Sequence, residues 1–549
     1  MPENRPAAAA GQASGELDVV IVGAGLAGLY MLHKLREIGI SARIYEAGSD
    51  VGGTWFWNRY PGARVDVESQ EYSYSFSPEL EVEWAWTERY AAQPELLKYV
   101  NHVADRFHLR PDIRFSTRIA SAIFDETRDR WTVTTDAGDT VSARFCIMAT
   151  GCLSSAKQPD IPGADSFSGD TYSTANWPEV GVDFTGKRVG VIGTGSSGIQ
   201  TITTIVPQVR ELTVFQRTPS FSVPAQNGPI DPKVAADWKA NREHYRAMQR
   251  KSGAGILQVS PNETLTFDAS PDERRRAFED RWARGGFSLL GAFADVNVDK
   301  QANDEAAAFV ADKIRSIVDD PDVAEQLIPT TYPVGAKRMC VDTGYYQVFN
   351  QDNVSLVDLA TTPIQAITPT GIRTSAHEYE LDAIIYAIGF DAMTGALDRI
   401  NIRGRDGLRL KDKWAAGPLT YLGLMTSGFP NLFMITGPGS PSVLANMILA
   451  IEQHVDWITD CIDHLGNRQL SVIEATPTAE QDWVAHVNEL AEQTLYLQAN
   501  SWYLGANIPG KPRVFMPYPG GLGLYRETCD EVVANRYKGF ALTGPDQTV

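Results

Sequence analysis

Two stretches of this chain share one hydrophobic pattern. DVVIVG at 18–23 is a short apolar run of the kind buried in a parallel sheet, and over 25–38 the period changes, with Leu26, Leu29, Leu32 and Leu35 spaced along one helical face. ARIYEAG then returns to a strand pattern that ends at Glu46, which completes a strand–helix–strand unit. The order recurs from Val189, where RVGVIG leads through a helical run to ELTVFQRT, closing at Arg217. Between the copies, PELLKYVNHVADRFHL at 94–109 has helical periodicity, and residues 115–151 read as successive strands broken by a DAGD turn.

After Asn227 the pattern turns helical for about a hundred residues, beginning with runs at 231–253, 270–294 and 300–320 and ending with a short run at 320–329. Ser270 is the expected cap of the second run, with Pro271 at its first position and Glu273 placed to complete a capping box. Sheet-like patterning resumes over 354–389, and two further helical runs occupy 440–466 and 478–502, their apolar positions assigned to the core. These periods predict an α/β protein with two Rossmann-like dinucleotide-binding domains and a helical insertion. The first domain is expected at 18–150 with 390–549, the second at 151–226 with 331–389, the insertion at 227–330 over the crevice between them, and a disordered tail at 1–17.

Both strand-to-helix turns carry GxGxxG: Gly23, Gly25 and Gly28 in the first, Gly193, Gly195 and Gly198 in the second, with Thr194, Ser196 and Ser197 between. The first glycine permits the tight turn, the second lets the backbone approach a pyrophosphate at the helix N-terminus, and the third allows helix and strand to pack closely. The two second strands end differently. Glu46 suits a ribose diol, whereas Arg217, followed by Thr218, suits a 2′-phosphate that a carboxylate would repel. A dinucleotide without that phosphate, as in FAD, fits the first unit and NADPH the second, the alternative for Arg217 being a solvated strand-end charge. The strands FCIMATG (145–151) and AIIYAIGF (383–390) close on small residues, which suits either close approach to a cofactor or the crossing of another segment.

Composition narrows the classes. The formal net charge of -19 argues against a nucleic-acid or anionic-membrane partner. The five cysteines contain no CxxC, which excludes a redox dithiol of the usual spacing and favours a reducing cytoplasm. Residues 1–17 lack the basic start and apolar run of a secretory signal, no segment has the apolar length of a membrane span, and no HExxH or zinc-spaced Cys/His cluster is present, so no metal is expected. Hydride from NADPH would pass to flavin and onward to a disulfide, a quinone, another protein or dioxygen. The missing CxxC argues against the first of these. The loop GGTWFWNRYPGARVDVESQEYSYSFS at 52–77 suits either a site lining or ordinary packing.

Several longer stretches resemble the Baeyer–Villiger monooxygenases, most closely the steroid and phenylacetone monooxygenase branch. The first is Gly52-Gly53-Thr54-Trp55 with Tyr60-Pro61-Gly62 and Asp66; the second is FSGDTYSTANWP, with Phe167, Gly169, Trp177 and Pro178 in place. YPVGAKRMCVDTGYY around Arg338, GPGSPSVLANM at 437–447 and NSWYLGANIPGKPRVFMPYPGG at 500–521 extend the likeness over nearly the whole chain. One position departs from the pattern: Ser173 stands where the family carries histidine, and serine does not titrate near neutrality.

The resemblance implies an FAD- and NADPH-dependent enzyme of cytoplasmic type that takes a small-molecule ketone and dioxygen to an ester or lactone through a C4a-peroxyflavin, with no obligate protein partner. It implies Gly53, Thr54, Trp55 and Asp66 at the FAD, and Lys337 beside Arg217 at the 2′-phosphate. Arg338 would hold the negative peroxide and the developing oxyanion, with Asp66 as its partner, and the bland alternative is a structural ion pair. Trp502 would close over the nicotinamide, and Ser442, Val443 and Leu444 would line a pocket for a bulky, hydrophobic, cyclic or steroid-like ketone. Two other classes share the same cofactor sites: a flavin-dependent N- or S-oxygenase and a non-catalytic NADPH-sensing flavoprotein.

Overall fold

The computed structural model describes residues 16–260 and 262–544. Of the expected tail, residues 1–15 lie outside the described residues, whereas Glu16 and Leu17 already belong to the first strand, β1 (Glu16–Val22). The helix Leu26–Glu37 follows, then β2 (Ala42–Tyr45), and β1 and β2 pair in parallel. This sheet continues with β3 (Ile113–Arg114), β4 (Ile119–Asp125), β5 (Arg130–Thr135) and β6 (Thr140–Met148), with DAGD turning the chain between β5 and β6.

The second sheet is built on β7 (Asp170–Ser173), β8 (Arg188–Ile192) and β9 (Glu211–Gln216). A small pair, β10 (Ser222–Pro224) with β11 (Cys340–Asp342), brackets the helical region. Then come β12 (Val354–Asp358), a three-stranded antiparallel flap of β13 (Ile364–Thr368), β14 (Gly371–Thr374) and β15 (Glu378–Glu380), and β16 (Ala383–Tyr386). The order β12-β9-β8-β16-β7 is wholly parallel, as a sheet with helices on its faces requires. Two late strands, β17 (Asn401–Arg403) and β18 (Leu432–Met434), return to the first sheet on β4 and β6. The architecture is thus two Rossmann-like dinucleotide-binding units with helical insertions.

The helical region contains Pro232–Lys251, Pro271–Arg284, Lys300–Ile317 and Pro321–Leu327. Ser270 and Glu273 form the reciprocal capping box, with Pro271 in the first turn. The helical reading of 270–294 ran too far: Gly285 adopts φ +78° and ends the helix, and Gly286–Gly291 continues as a tight 3-10 turn. Likewise 94–109 is helical only over Gln93–Arg106, and 440–466 only from Met447, where Asn446 caps the helix through the Ile448 amide. The region bonds to both halves of the protein. Arg246 reaches the carbonyls of Glu71 and Ser73 at 3.2 and 3.1 Å, and Gln216 donates to the Gln326 carbonyl at 2.8 Å.

Candidate active site

The two glycine turns are near copies. Gly23 sits at φ +107° with its N–H on the Tyr45 carbonyl at 2.9 Å, and Gly193 at φ +110° with its N–H on the Phe215 carbonyl at 3.0 Å. A Cβ on Gly23 would lie 2.6 Å from the Ala149 oxygen, and one on Gly193 2.4 Å from the Ala387 oxygen. The strands ending in Ala-Thr-Gly and Ala-Ile-Gly therefore cross directly beneath the turns, which explains their small residues. Gly28 and Gly198 abut the Gly23 and Gly193 carbonyls, where a Cβ would come within 1.9 and 2.1 Å.

Neither helix starting after Gly25 or Gly195 has a side-chain cap or an acidic residue in its first turn, so both present amide N–H groups and a positive dipole end to an anion. The Glu46 carboxylate is buried and accepts from the amides of Ala24 and Gly48, each at 2.6 Å. Gly53, at φ +53°, lies against Gly25, and the short helix Thr54–Trp57 follows it. The Trp55 indole N–H is buried and makes no hydrogen bond, with the Tyr72 ring edge-on at 5.9 Å, so it is a donor free to meet a cofactor acceptor. In the second unit, space over Gly195 is open and Thr194 donates to the Thr218 carbonyl at 3.2 Å. Ser196 contacts the Cys340 sulfur at 3.6 Å, and Ser197 accepts from Thr174 at 3.2 Å.

Arg217 is exposed and makes no ion pair among the described residues. Lys337 lies over the Tyr332 ring at 4.4 Å, its ammonium pushed down by burial and then by Arg217. Two unneutralised cations that repel one another fit a phosphate better than they fit an empty surface.

Asp66 and Arg338 meet across 272 residues of chain in a two-pronged pair, Nε to Oδ2 at 2.6 Å and the second guanidinium nitrogen to Oδ1 at 2.7 Å. The remaining nitrogen donates to the Val443 carbonyl at 2.7 Å, and Phe287 from the helical region lies 5.0 Å beneath the guanidinium. Burial alone would push Arg338 down; Asp66 and, after it, Tyr503 more than offset this and hold it above its ordinary value. Val443 lies in the turn Ser442–Leu444, where Ser442 is buried at φ +43° with its hydroxyl 3.8 Å from the Met393 sulfur. A non-glycine residue held at positive φ is the kind of local strain found at ligand sites. Val443, Leu444, Met393 and Cys152 share one apolar cluster with Trp502, Tyr503 and Phe515.

The family described as Pyridine nucleotide-disulphide oxidoreductase matches residues 20–272. The chain is 43% identical over 530 residues to the acetone monooxygenase (methyl acetate-forming) of Gordonia sp. (strain TY-5), covering 96% of this chain and 99% of that one. It is 44% identical over 529 residues to the Baeyer-Villiger monooxygenase of Pseudooceanicola batsensis, covering 95% of each. The solved structure of an oxidised steroid monooxygenase bound to NADP superposes with a TM-score of 0.93 at 55% identity, over 96% of this chain and 100% of that one. The chain belongs to the Baeyer–Villiger monooxygenase family. It is an FAD- and NADPH-dependent oxidoreductase that uses dioxygen to oxidise a ketone through a flavin intermediate.

In this monooxygenase the second fingerprint runs along the edge of the second sheet. Phe167 packs on Gly169, Trp177 is buried and stacked on Tyr172 at 5.2 Å, and Pro178 lines a surface cavity of about 500 Å³ with Arg59 and Lys98. Ser173 ends β7 beside Tyr386; its hydroxyl accepts from the Ala175 amide at 3.3 Å and its carbonyl from the Asn176 amide at 3.1 Å. The serine thus closes a compact turn, and Tyr172 is engaged with Trp177 instead of with it. Trp502 contacts Tyr503 edge-on at 4.4 Å. Sequence reasoning missed Phe287, Tyr503, Cys152 and Met393. Tyr503 adjoins Trp502 and was within reach, whereas nothing local marks Phe287, which comes from a helix-ending turn. No described helix is long and apolar enough to cross a membrane.

Proposed function

We propose that this monooxygenase converts a bulky, hydrophobic ketone, cyclic, aryl or steroid-like, into the ester or lactone, with Arg338 as the charge-holding catalytic residue. The carrying observation is the three-way seating of Arg338 between Asp66 and the Val443 carbonyl. It puts a permanent positive charge beside the apolar cluster that would receive the ketone. When bound, FAD and NADPH supply the electrons that activate dioxygen: ketone, O2, NADPH and a proton become ester, NADP+ and water. Gly23, Gly25, Gly28, Glu46, Gly53, Thr54, Trp55 and Asp66 would hold the FAD, and Gly193 to Gly198, Arg217, Thr218, Lys337 and Trp502 would hold the NADPH.

Arg338 would hold the negative charge that develops as oxygen passes to the ketone, and Asp66 keeps the guanidinium in register. Ser442, Val443 and Leu444 shape the ketone pocket and exclude water. The nucleotide units act as discontinuous domains with the bounds given above, the insertion at 227–330 closing the crevice between them. Five buried, unpaired cysteines suit a reducing cytoplasm. Steady-state kcat/KM over a panel of short acyclic, cyclic, aryl and steroid ketones, with product mass, tests the reading. The bulky ketones are expected to lead; a panel led by the smallest acyclic ketone overturns the size assignment.

A further inference from the structure

His454 lies fully buried early in the helix Met447–Asn467. Its Nδ1 accepts from the Thr436 backbone amide at 2.9 Å, and its Nε2 meets the Tyr525 hydroxyl at 2.8 Å. An amide only donates, so Nδ1 carries no proton and Nε2 carries the one the neutral ring has. The Tyr525 hydroxyl gives its own proton to the Leu422 carbonyl and so accepts from Nε2. One tautomer satisfies every member of the relay Thr436–His454–Tyr525–Leu422. Burial pushes the imidazole down to about 3, which keeps it neutral.

Both ends of this relay fall on strained backbone. Thr436 sits at φ +55° and Leu422 at φ +57°, a conformation that a β-branched threonine adopts only where its surroundings impose it. Thr436 follows β18 and opens the turn that runs to Val443, whose carbonyl holds Arg338. The hairpin tip at Leu422 packs on that turn. A Cβ on Gly423 would lie 2.6 Å from the Ser440 nitrogen, and one on Gly437 2.5 Å from the Gly423 oxygen. Thr420 donates to the Pro438 carbonyl at 2.6 Å and Trp483 to the Gly439 carbonyl at 3.0 Å. In so tightly seated a turn, a bond to the first residue bears on where the last one stands.

We propose that His454 is a positioning residue for oxygen transfer: by holding the Thr436 amide it fixes the turn 436–443, and with it the Val443 carbonyl on which Arg338 rests. This rests on the reading of Arg338 as the charge-holding residue. A turn let go at Thr436 relaxes toward ordinary φ, shifts the Val443 carbonyl and leaves Arg338 seated by Asp66 alone. Misplacing a reacting constellation by about 1 Å costs up to ~10²-fold in rate.

The test divides the two bonds of the imidazole between two amide side chains. His454→Asn places its oxygen where Nδ1 stands and keeps an acceptor for Thr436; His454→Gln reaches Tyr525 and leaves the Thr436 amide without one. FAD-loaded parent, both variants and Arg338→Ala are compared with the ketone of the panel that the parent turns over best. The readouts are anaerobic flavin bleaching by NADPH, ester and hydrogen peroxide formed per NADPH consumed, and thermal melting. His454→Gln should bleach within about twofold of the parent yet lose about tenfold or more of its ester, with peroxide making up the difference. His454→Asn should recover most of the ester at a similar melting temperature. Equal ester from the two variants overturns the positioning role while Arg338 keeps its own. Should either variant not accumulate as yellow protein, Tyr525→Phe decides, since it keeps the packed ring and frees the imidazole to turn. A lower ratio of ester to NADPH is then expected, and the parent ratio overturns the role. Ester from Arg338→Ala at near the parent rate removes the charge-holding reading and the positioning role with it.

Discussion

Replacing Arg338 with alanine separates the oxygen-transfer step from hydride acceptance. The substitution deletes three charge-assisted bonds, at 2.6, 2.7 and 2.7 Å, and leaves the Asp66 carboxylate and the Val443 carbonyl unpartnered. Stranding one member of a fully buried pair costs about 3–5 kcal/mol. These side chains are 25% and 21% exposed, so water can reach the stranded carboxylate, and about 2 kcal/mol is the better figure. The protein should fold and remain yellow. Removing a single oxyanion donor from an enzyme costs about 10²–10³ in rate, and here a full positive charge goes with it, so oxygenation should fall at least ~10³-fold, about 4 kcal/mol of barrier. Hydride delivery to the flavin needs no such charge, and anaerobic bleaching by NADPH should change less than about tenfold. Asp66→Ala keeps the charge and the Val443 bond while losing the orienting pair, and should cost roughly 10–100-fold. The assay pairs anaerobic stopped-flow absorbance with ester yield and hydrogen peroxide release in air. Ester formed by Arg338→Ala at near the parent rate would refute the charge-holding role. An equal collapse of flavin reduction would instead assign Arg338 to the coenzyme. Because Arg338 is held above its ordinary value, it stays protonated throughout the usable range, and no alkaline loss of oxygenation should trace to it.

Arg217→Ala should weaken NADPH by about tenfold to a hundredfold, leave NADH alone and not change thermal stability; equal weakening of both coenzymes contradicts the phosphate role. Ser173→His should leave the ratio of ester formed to NADPH consumed unchanged or lower, since the serine closes its own turn; a higher ratio would mean the serine is a simple loss. Gly62→Ala should destabilise by more than about 2 kcal/mol in denaturant melts. Its φ is +80°, and a Cβ would meet Thr204 Oγ1 at 2.1 Å and the Gln200 carbonyl at 2.3 Å, wedging the first unit from the second. Burial pushes Glu71 up to about 7 from an ordinary 4.5, although the Leu257 amide and Gln249 donate to it. The folded state then holds a proton that the unfolded chain has released, so stability should fall as pH rises from about 4.5 to 7, by up to a few kcal/mol. Glu71→Gln should flatten that slope, and an unchanged slope assigns it elsewhere.

Much of the architecture is legible because its signals are local. GxGxxG followed by leucines at helical spacing can be read from a dozen residues, and the contrast of Glu46 with Arg217 requires only the end of each strand. The capping box at Ser270 is equally local and is present as expected. Helix ends were harder. Gly285 stops a helix that composition alone would extend to Ala294, because the left-handed φ of one residue outweighs the pattern around it. The pairing of Asp66 with Arg338 has no local signal at all, since its members stand 272 residues apart and it became visible only through likeness to a family. Phe287 lies beyond even that, delivered by the turn at the end of an insertion helix.

The two glycine turns differ in one respect that bears on time instead of shape. Over Gly25 lies Gly53, so close that a Cβ on the latter would come within 2.8 Å of the Gly25 Cα, while nothing comes within 4 Å of a Cβ on Gly195. The first helix end is clasped by its own chain and the second is open to solvent. A clasped end suits a prosthetic group that stays for the life of the molecule, with slow exchange in both directions. An open end suits a coenzyme that must arrive reduced and leave oxidised once in every turnover. The same fingerprint is therefore presented in two settings, and the residue placed over its middle glycine is what tells them apart.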